Sequence, residues 1–490
     1  MPGGAMKKWL CLLALTGQMI VPAEANELPD FGNPADAILN KSREGQLGRT
    51  VMLQLRNAGV VVDDPLLNEY VQSIGAEIAS HANNGSHSFR FFVINDDRIN
   101  AFAMPGGYIG LHTGLILASE NESELAGVIA HEVSHVTQRH IARSLYDAQR
   151  TSIVSMAAML AAVLLGAATD MPGDALAGVV SASQAAALQR QINFTRAHEH
   201  EADRVGIEVL ARAGYDPNAM ATFFEKISRR YGFAGQEVPE ILRTHPVTST
   251  RIAEARDRAR RLPQHRRENS ISYELAKVRI EVLSTADPRA ALRSMEAKPD
   301  QDSAPVRYGK GLALGRLGRH DEAERTFREL VREHPGVIAY RIGLGEALAA
   351  SGSREQALEV FATAVRLFPR NVPLTVSYAE ALIEAGRPGE AHRLLLDLLN
   401  NVPPTPAQIR LIARAANAEG DTLNAYHYMA EYYVSIGNLP LAISQLHMAL
   451  ELPDAHAVER ARLNARLEEL VEYLPEEQRG EALGRRPTGG

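Results

Sequence analysis

His131-Glu132-Val133-Ser134-His135 sets two histidines four residues apart around a glutamate, within a run where Leu125, Val128, Ile129 and Val136 recur at helical spacing. Four helical residues turn through about 400°, so the two imidazoles leave one face a turn apart, where they can occupy two corners of a tetrahedral Zn²⁺ site. Glu132 lies beside them, positioned to take a proton from water activated at the metal without being a ligand itself. Ser119, with Glu122 three residues on, reads as a capping box that starts this helix.

Two helical ligands call for a third from elsewhere in the chain. Ala197-His198-Glu199-His200-Glu201-Ala202-Asp203 offers two glutamates. Glu199 and Asp203 are four apart and share a helix face, whereas Glu201, about 200° from Glu199, faces away. Glu199 is therefore expected as the third ligand and Asp203 as the acceptor that holds the far N–H of a ligand histidine. Glu201 is expected at the surface, with His198 and His200 off the metal, and Ala202 leaves room for two helices to approach closely. Three protein ligands leave a fourth position open, the arrangement of a catalytic zinc.

H-E-x-x-H followed by E-x-x-A-D resembles the membrane-associated zinc peptidases of the HtpX and CAAX-prenyl-protease kind. Asn100-Ala101-Phe102-Ala103-Met104-Pro105-Gly106-Gly107 is similar to that family's strand and turn before the metal helix, and Leu242-Arg243-Thr244-His245-Pro246 to its segment after the third ligand. With a secretion signal and C-terminal repeats, the chain resembles a periplasmic branch of the family in Gram-negative bacteria. That resemblance implies a protease and assembly chaperone in quality control of outer-membrane β-barrel proteins, with unfolded or misassembled ones as substrates. It also implies that the repeats meet the outer-membrane assembly machinery, and that His245 fills the zinc's fourth position as a switch. Read from its residues alone, His245 is equally a turn histidine before Pro246, bonded to backbone.

The N-terminus indicates the compartment independently. Lys7 and Lys8 precede an apolar run from Trp9 that ends at Ala23-Glu24-Ala25, a secretory signal over residues 1–25 with the mature chain starting near Asn26. The one cysteine, Cys11, lies inside that signal, so the mature chain has neither disulfides nor a thiolate nucleophile. Its removal takes the net charge from −7 to about −8, which argues against nucleic-acid binding.

A chain of 490 residues is long for one domain. A peptidase domain is expected over 26–265, ending in the arginine-rich stretch Arg256 to Arg267, which reads as a helix end and linker. Phe89 to Ile94 and Tyr108 to Thr113 are strand signals with Gly106-Gly107 as a turn, giving a small sheet among helices. Downstream, Gly311, Ala323, Phe327 and Pro335 return 34 positions later as Gly345, Ala357, Phe361 and Pro369, then as Ala379, Ala391, Leu395 and Pro403. That is the tetratricopeptide period, expected over 270–480 with a degenerate first unit at Tyr273 to Met295, a further unit around Ala425 to Ala449, and a disordered tail at 481–490. The expected fold is thus an α+β, gluzincin-like zinc peptidase followed by an all-α solenoid.

Ile153 to Ala168 is almost wholly apolar but, at 16 residues, short of the roughly 20 that span a bilayer. Residues 153–187 read as a hairpin that serves as a lid, dips into a membrane surface, or lies in the core. In the expected chemistry one Zn²⁺ on His131, His135 and Glu199 polarises the scissile carbonyl and Glu132 shuttles the proton. The strand at Tyr108 to Thr113 is expected to receive extended substrate by strand addition. A second function remains open, chiefly a repeat-based assembly chaperone with a mostly silenced zinc site.

Overall fold

The computed structural model describes residues 39–82, 88–148, 196–231, 238–453, 455–474, 476 and 479. The signal at 1–25, the hairpin at 153–187 and the tail at 481–490 lie outside the described residues.

Helices α1 (Lys41–Asn57) and α2 (Pro65–Ser80) precede strands β1 (Arg90–Ile94), β2 (Ala101–Met104) and β3 (Tyr108–His112). Gly106 and Gly107 form the β2–β3 turn at φ +78° and +80°, a conformation that a side chain would strain. The sheet order is β1-β3-β2, with β1 parallel and β2 antiparallel to β3. β3 is therefore the central strand, paired on both sides, and cannot take up a substrate strand as its sequence led us to expect. β2 is an edge, and it lies beside the histidine helix.

That helix, α4 (Glu122–Thr137), follows the short α3 (Thr113–Ala118). Its cap is Asn121, whose side chain accepts from the Glu124 amide, rather than Ser119. Ser119 instead ends α3 and bonds the Ile116 carbonyl and the Tyr273 hydroxyl, while Glu122 accepts from Tyr70 and Ser270. Tertiary partners have claimed both members of the anticipated capping box. α4 is buried on all sides from Glu122 to Val136. It is crossed by α6 (Arg196–Arg212) and α7 (Ala219–Tyr231), with the short α5 (His140–Ala148) turning back at its end. The crossings are close because they are built on small residues. A Cβ on Gly206 would sit 3.1 Å from the Ala130 carbonyl oxygen, one on Gly127 3.0 Å from the Met220 backbone, and Ala202 is fully buried. The peptidase fold closes with α8 (Glu240–Thr244) and α9 (Ser249–Arg260).

From Ile271 onward the regular elements among the described residues are helices, arranged in successive pairs. After Ile271–Ser284 with Pro288–Glu296 come Ala304–Arg316 with His320–Glu333, Ile338–Ala350 with Arg354–Leu367, and Val372–Glu384 with Pro388–Asn401. Pro406–Glu419, Thr422–Ser435, Leu439–Glu451 and Ala457–Glu472 complete the array. The repeat positions act as their spacing implies. The Phe327 ring lies against Gly311 and Gly343, and the Phe361 ring against Gly345, so a large side chain fills the gap a missing one leaves.

The junction is tighter than a linker. Tyr273, Ala276 and Ile280 belong to the same buried cluster as the peptidase core, while Leu275, Val278 and Val282 from the same helix belong to the first repeat core. Glu122 holds the Ser270 amide and hydroxyl, Arg267 pairs with Glu77, and Asn371 donates to Glu69 on α2 at 2.6 Å. On this packing we place the peptidase's folding boundary after Ser284 rather than at 265–270. A chain ending at residue 268 loses the buried Tyr273 and leaves Glu122 short of partners. It should melt roughly 10 °C below a chain ending at residue 285. Equal melting temperatures by calorimetry would return the boundary to the linker.

Candidate metal centre

On α4, the i, i+4 spacing turns His131 and His135 to one side, and both are buried, as is Glu132 between them. On α6, the same spacing sends Glu199 and Asp203 to meet them. His245, the residue that ends α8, completes the group from below, its amide bonded to the Ile241 carbonyl. His131, His135, Glu199 and His245 each present one ligand atom, and these four atoms lie within 4.8 Å of one another. The Nε2 atoms of His131 and His135 are 3.0 Å apart, and the Glu199 carboxylate lies 3.5 Å from each. His245 Nδ1 is 3.0 Å from Glu199 Oε1.

The donor set fits a divalent metal. Imidazole nitrogens and a carboxylate, with no sulfur, are the set zinc takes in catalytic sites. Without a cation at their centre, four such groups packed in a dry core would be hard to account for. Glu132 makes the same point, because it is fully buried and neither carboxylate oxygen has a well-formed hydrogen bond. Burial holds its pKa above the ordinary carboxylate value, against the pull of His245 and His131. The Ala103 amide of β2 also lies near enough to favour its charged form. Burial opposes charge on His131, but Asp203 and Glu199 more than offset it and hold its pKa at about 10. His135 goes the other way, because burial and the positive charge on His131 push it well below the usual histidine range.

Asp203 takes the position expected of it, Oδ1 lying 3.0 Å from His131 Nδ1. Its other partner was not anticipated from the sequence. Arg251, on α9, forks onto Asp203 through Nε and Nη2 at 2.7 and 2.8 Å, reaches Glu199 through Nη1 at 2.7 Å, and donates to the Pro246 carbonyl. Burial works against its charge, yet these carboxylates raise its pKa. One signal was available: two carboxylates on a buried helix face require a cation nearby.

Of the remaining histidines, His200 is partly exposed and pairs with Glu254, and His198 is buried with its ring stacked on His140. Neither joins the four-residue group. Glu201 faces away from Glu199 as its spacing implies, but it is no bare surface residue. It accepts from Arg143 at 2.8 Å and lies 3.1 Å from His140 Nε2.

Residues 65–259 match Peptidase family M48, and residues 308–372 and 348–415 match tetratricopeptide repeats. The chain is 38% identical over 333 residues to the beta-barrel assembly-enhancing protease of Escherichia coli K12, covering 66% of this chain and 67% of the relative. The Yersinia pestis protein of the same name is 32% identical over 472 residues, covering 94% and 96%. A protease HtpX homolog of Methylibium petroleiphilum is 36% identical over 168 residues, 33% of this chain and 56% of the relative. A metal-binding peptidase core joined to a tetratricopeptide array, with one relative alike along nearly the whole length and another along two thirds, places this chain in the beta-barrel assembly-enhancing protease family of M48 metallopeptidases.

Proposed function

We propose that the protein is a periplasmic zinc endopeptidase that removes misassembled outer-membrane β-barrel proteins and assists assembly of others. The observation that carries the reading is Glu132, a buried carboxylate without a well-formed hydrogen bond, next to converging imidazole and carboxylate donors. Burying such a group is costly, and groups kept at that cost cluster at sites that move protons. The names of the Escherichia coli and Yersinia pestis relatives support the substrate class, and the signal-like N-terminus supports the compartment.

In this reading His131, His135 and Glu199 hold the zinc. Bound there, the metal supplies Lewis acidity toward the scissile carbonyl and lowers the pKa of water. Glu132 takes the proton from that water and returns it to the leaving amine. Asp203 keeps the His131 ring oriented, and Arg251 balances the two carboxylates of α6. The β2 edge at Ala101–Met104 receives the substrate in extended form, its Ala103 amide being close to Glu132. The repeats dock the assembly machinery.

One observation favours a mostly silent resting state. His245 sits among the ligand atoms and its Nε2 is 3.5 Å from Glu132, so the fourth position is filled from within the chain. Arg251 holds the Pro246 carbonyl, so the segment that must swing away is tied to the same cation that neutralises Glu199. Assembly chaperoning then proceeds with the peptidase closed.

His245→Ala should raise cleavage of casein, and self-cleavage, about tenfold or more, the factor that releasing a contact of 1–2 kcal/mol allows. Adding Glu132→Gln to that chain should lower it by roughly 100-fold or more. A His245→Ala protein that keeps its zinc yet is no more active than wild type would remove the switch. Proton linkage gives a separate check. Asp203 and Glu199 raise the His131 pKa to about 10 in the metal-free site, whereas a ligand imidazole is neutral, so binding zinc at pH 7 should release about one proton. Affinity should then fall as pH falls, about tenfold per unit. Titration calorimetry in buffers of different ionisation enthalpy reads the proton count, and a count of zero would show that His131 is already neutral before zinc binds.

A further inference from the structure

Both ligand histidines need an acceptor for the ring N–H that faces away from the metal. For His131 it is the Asp203 carboxylate. For His135 it is a second imidazole, His140, whose Nδ1 lies 2.9 Å from the Nδ1 of His135. We propose that His140 and Glu201 form a two-residue relay that sets the tautomer and orientation of His135. They act as positioning residues for the metal centre, an inference that rests on His131, His135 and Glu199 being the ligands.

The proton assignments leave one consistent pattern. To bind metal, His135 must present a bare Nε2, which faces His131 Nε2 and Glu199. Its proton then resides on Nδ1 and is donated to a bare Nδ1 of His140. His140 carries its own proton on Nε2, 3.1 Å from Glu201 Oε2. A carboxylate only accepts, so Glu201 fixes the direction of the whole chain. Arg143, at 2.8 Å, keeps Glu201 charged and in place. With a donor in place of Glu201 the pattern can reverse, which would put a proton on the His135 nitrogen that faces the metal.

The backbone is bent to make this contact. Arg139, between the two histidines, has φ +55°, left-handed geometry that a residue with a side chain adopts only where its surroundings compel it. The turn folds α5 back so that His140, fully buried, lies under His135 with ring centroids 4.9 Å apart. Arg139 is held by Glu44 at 2.9 Å and the Leu39 carbonyl at 2.7 Å. Glycine would make the turn without strain, so the arginine is explained by its grip on α1. His198 stacks on the outer face of His140, ring centroids 4.4 Å apart, and limits its tilt.

Full-length mature protein serves for the test, with zinc affinity from chelator competition, the visible spectrum of the Co²⁺-loaded protein, and metal-free melting temperature. His140→Leu and Glu201→Ala should weaken zinc binding about 10- to 100-fold and alter the cobalt spectrum while the metal-free melting temperature holds. His140→Asn, whose Oδ1 falls near the place of Nδ1 and can accept from His135, should recover much of the loss. His200→Ala, on the same helix but paired with Glu254, should bind zinc as wild type does. Glu201 is about a quarter exposed, so its variant reports even if His140→Leu does not fold. Zinc affinity and cobalt spectrum unchanged in Glu201→Ala would overturn the relay, and so would His140→Asn binding as weakly as a folded His140→Leu. If Glu199→Gln also keeps wild-type affinity, the ligand set itself is wrong and the relay falls with it.

Discussion

The structure depends on a balance of charge inside a dry core. Two carboxylates on one face of α6, Glu199 and Asp203, are carried into contact with two imidazoles on α4, and neither carboxylate is more than a tenth exposed. Unpaired, each would carry a penalty of several kcal/mol. Arg251 meets both at once, forking onto Asp203 and reaching Glu199 with its remaining nitrogen. A guanidinium suits this place because its planar fork matches a carboxylate and its charge cannot be lost. Its Nη1 also holds the Pro246 carbonyl, so the side chain that balances the two carboxylates also fixes the backbone next to His245.

Everything in the site that follows from helical periodicity could be read in the sequence. The spacing of His131 and His135, the shared face of Glu199 and Asp203, the opposite heading of Glu201 and the 34-residue repeat are local relations, and a helix translates them directly into space. What could not be read depends on packing between distant segments. Arg251 is one more arginine, just ahead of an arginine-rich stretch, until α9 folds against α6. His140 becomes part of the site only because Arg139 adopts a left-handed turn, for which the sequence has no glycine to announce it. Strand order is likewise a tertiary property. The sequence marks Tyr108 to Thr113 as a strand but not its place in the sheet, which sets β3 between β1 and β2 and leaves it without a free edge. Ser119 and Glu122 had the letters of a capping box, but Tyr273, Tyr70 and Ser270 had better use for them.

The junction explains how a peptidase and a solenoid can act as one molecule. The helix Ile271–Ser284 contributes apolar residues to both cores, with Tyr273 facing one and Val278 the other. The loop before it is held by Glu122, at the start of the helix that carries His131 and His135 nine and thirteen residues further on. The repeats are therefore packed directly against the peptidase core through this helix, while residues 256–267 form the helix end and connecting stretch that their composition implied.

The arrangement of donors predicts one metal between α4 and α6, with His245 closing its fourth position. Anomalous diffraction at the zinc absorption edge, from crystals of the mature chain, tests it most directly. A single strong peak is expected about 2.0–2.2 Å from a nitrogen of each of His131, His135 and His245 and from a Glu199 oxygen. A peak centred elsewhere, such as among His140, His198 and Glu201, or no peak in protein that still cleaves casein, would contradict it.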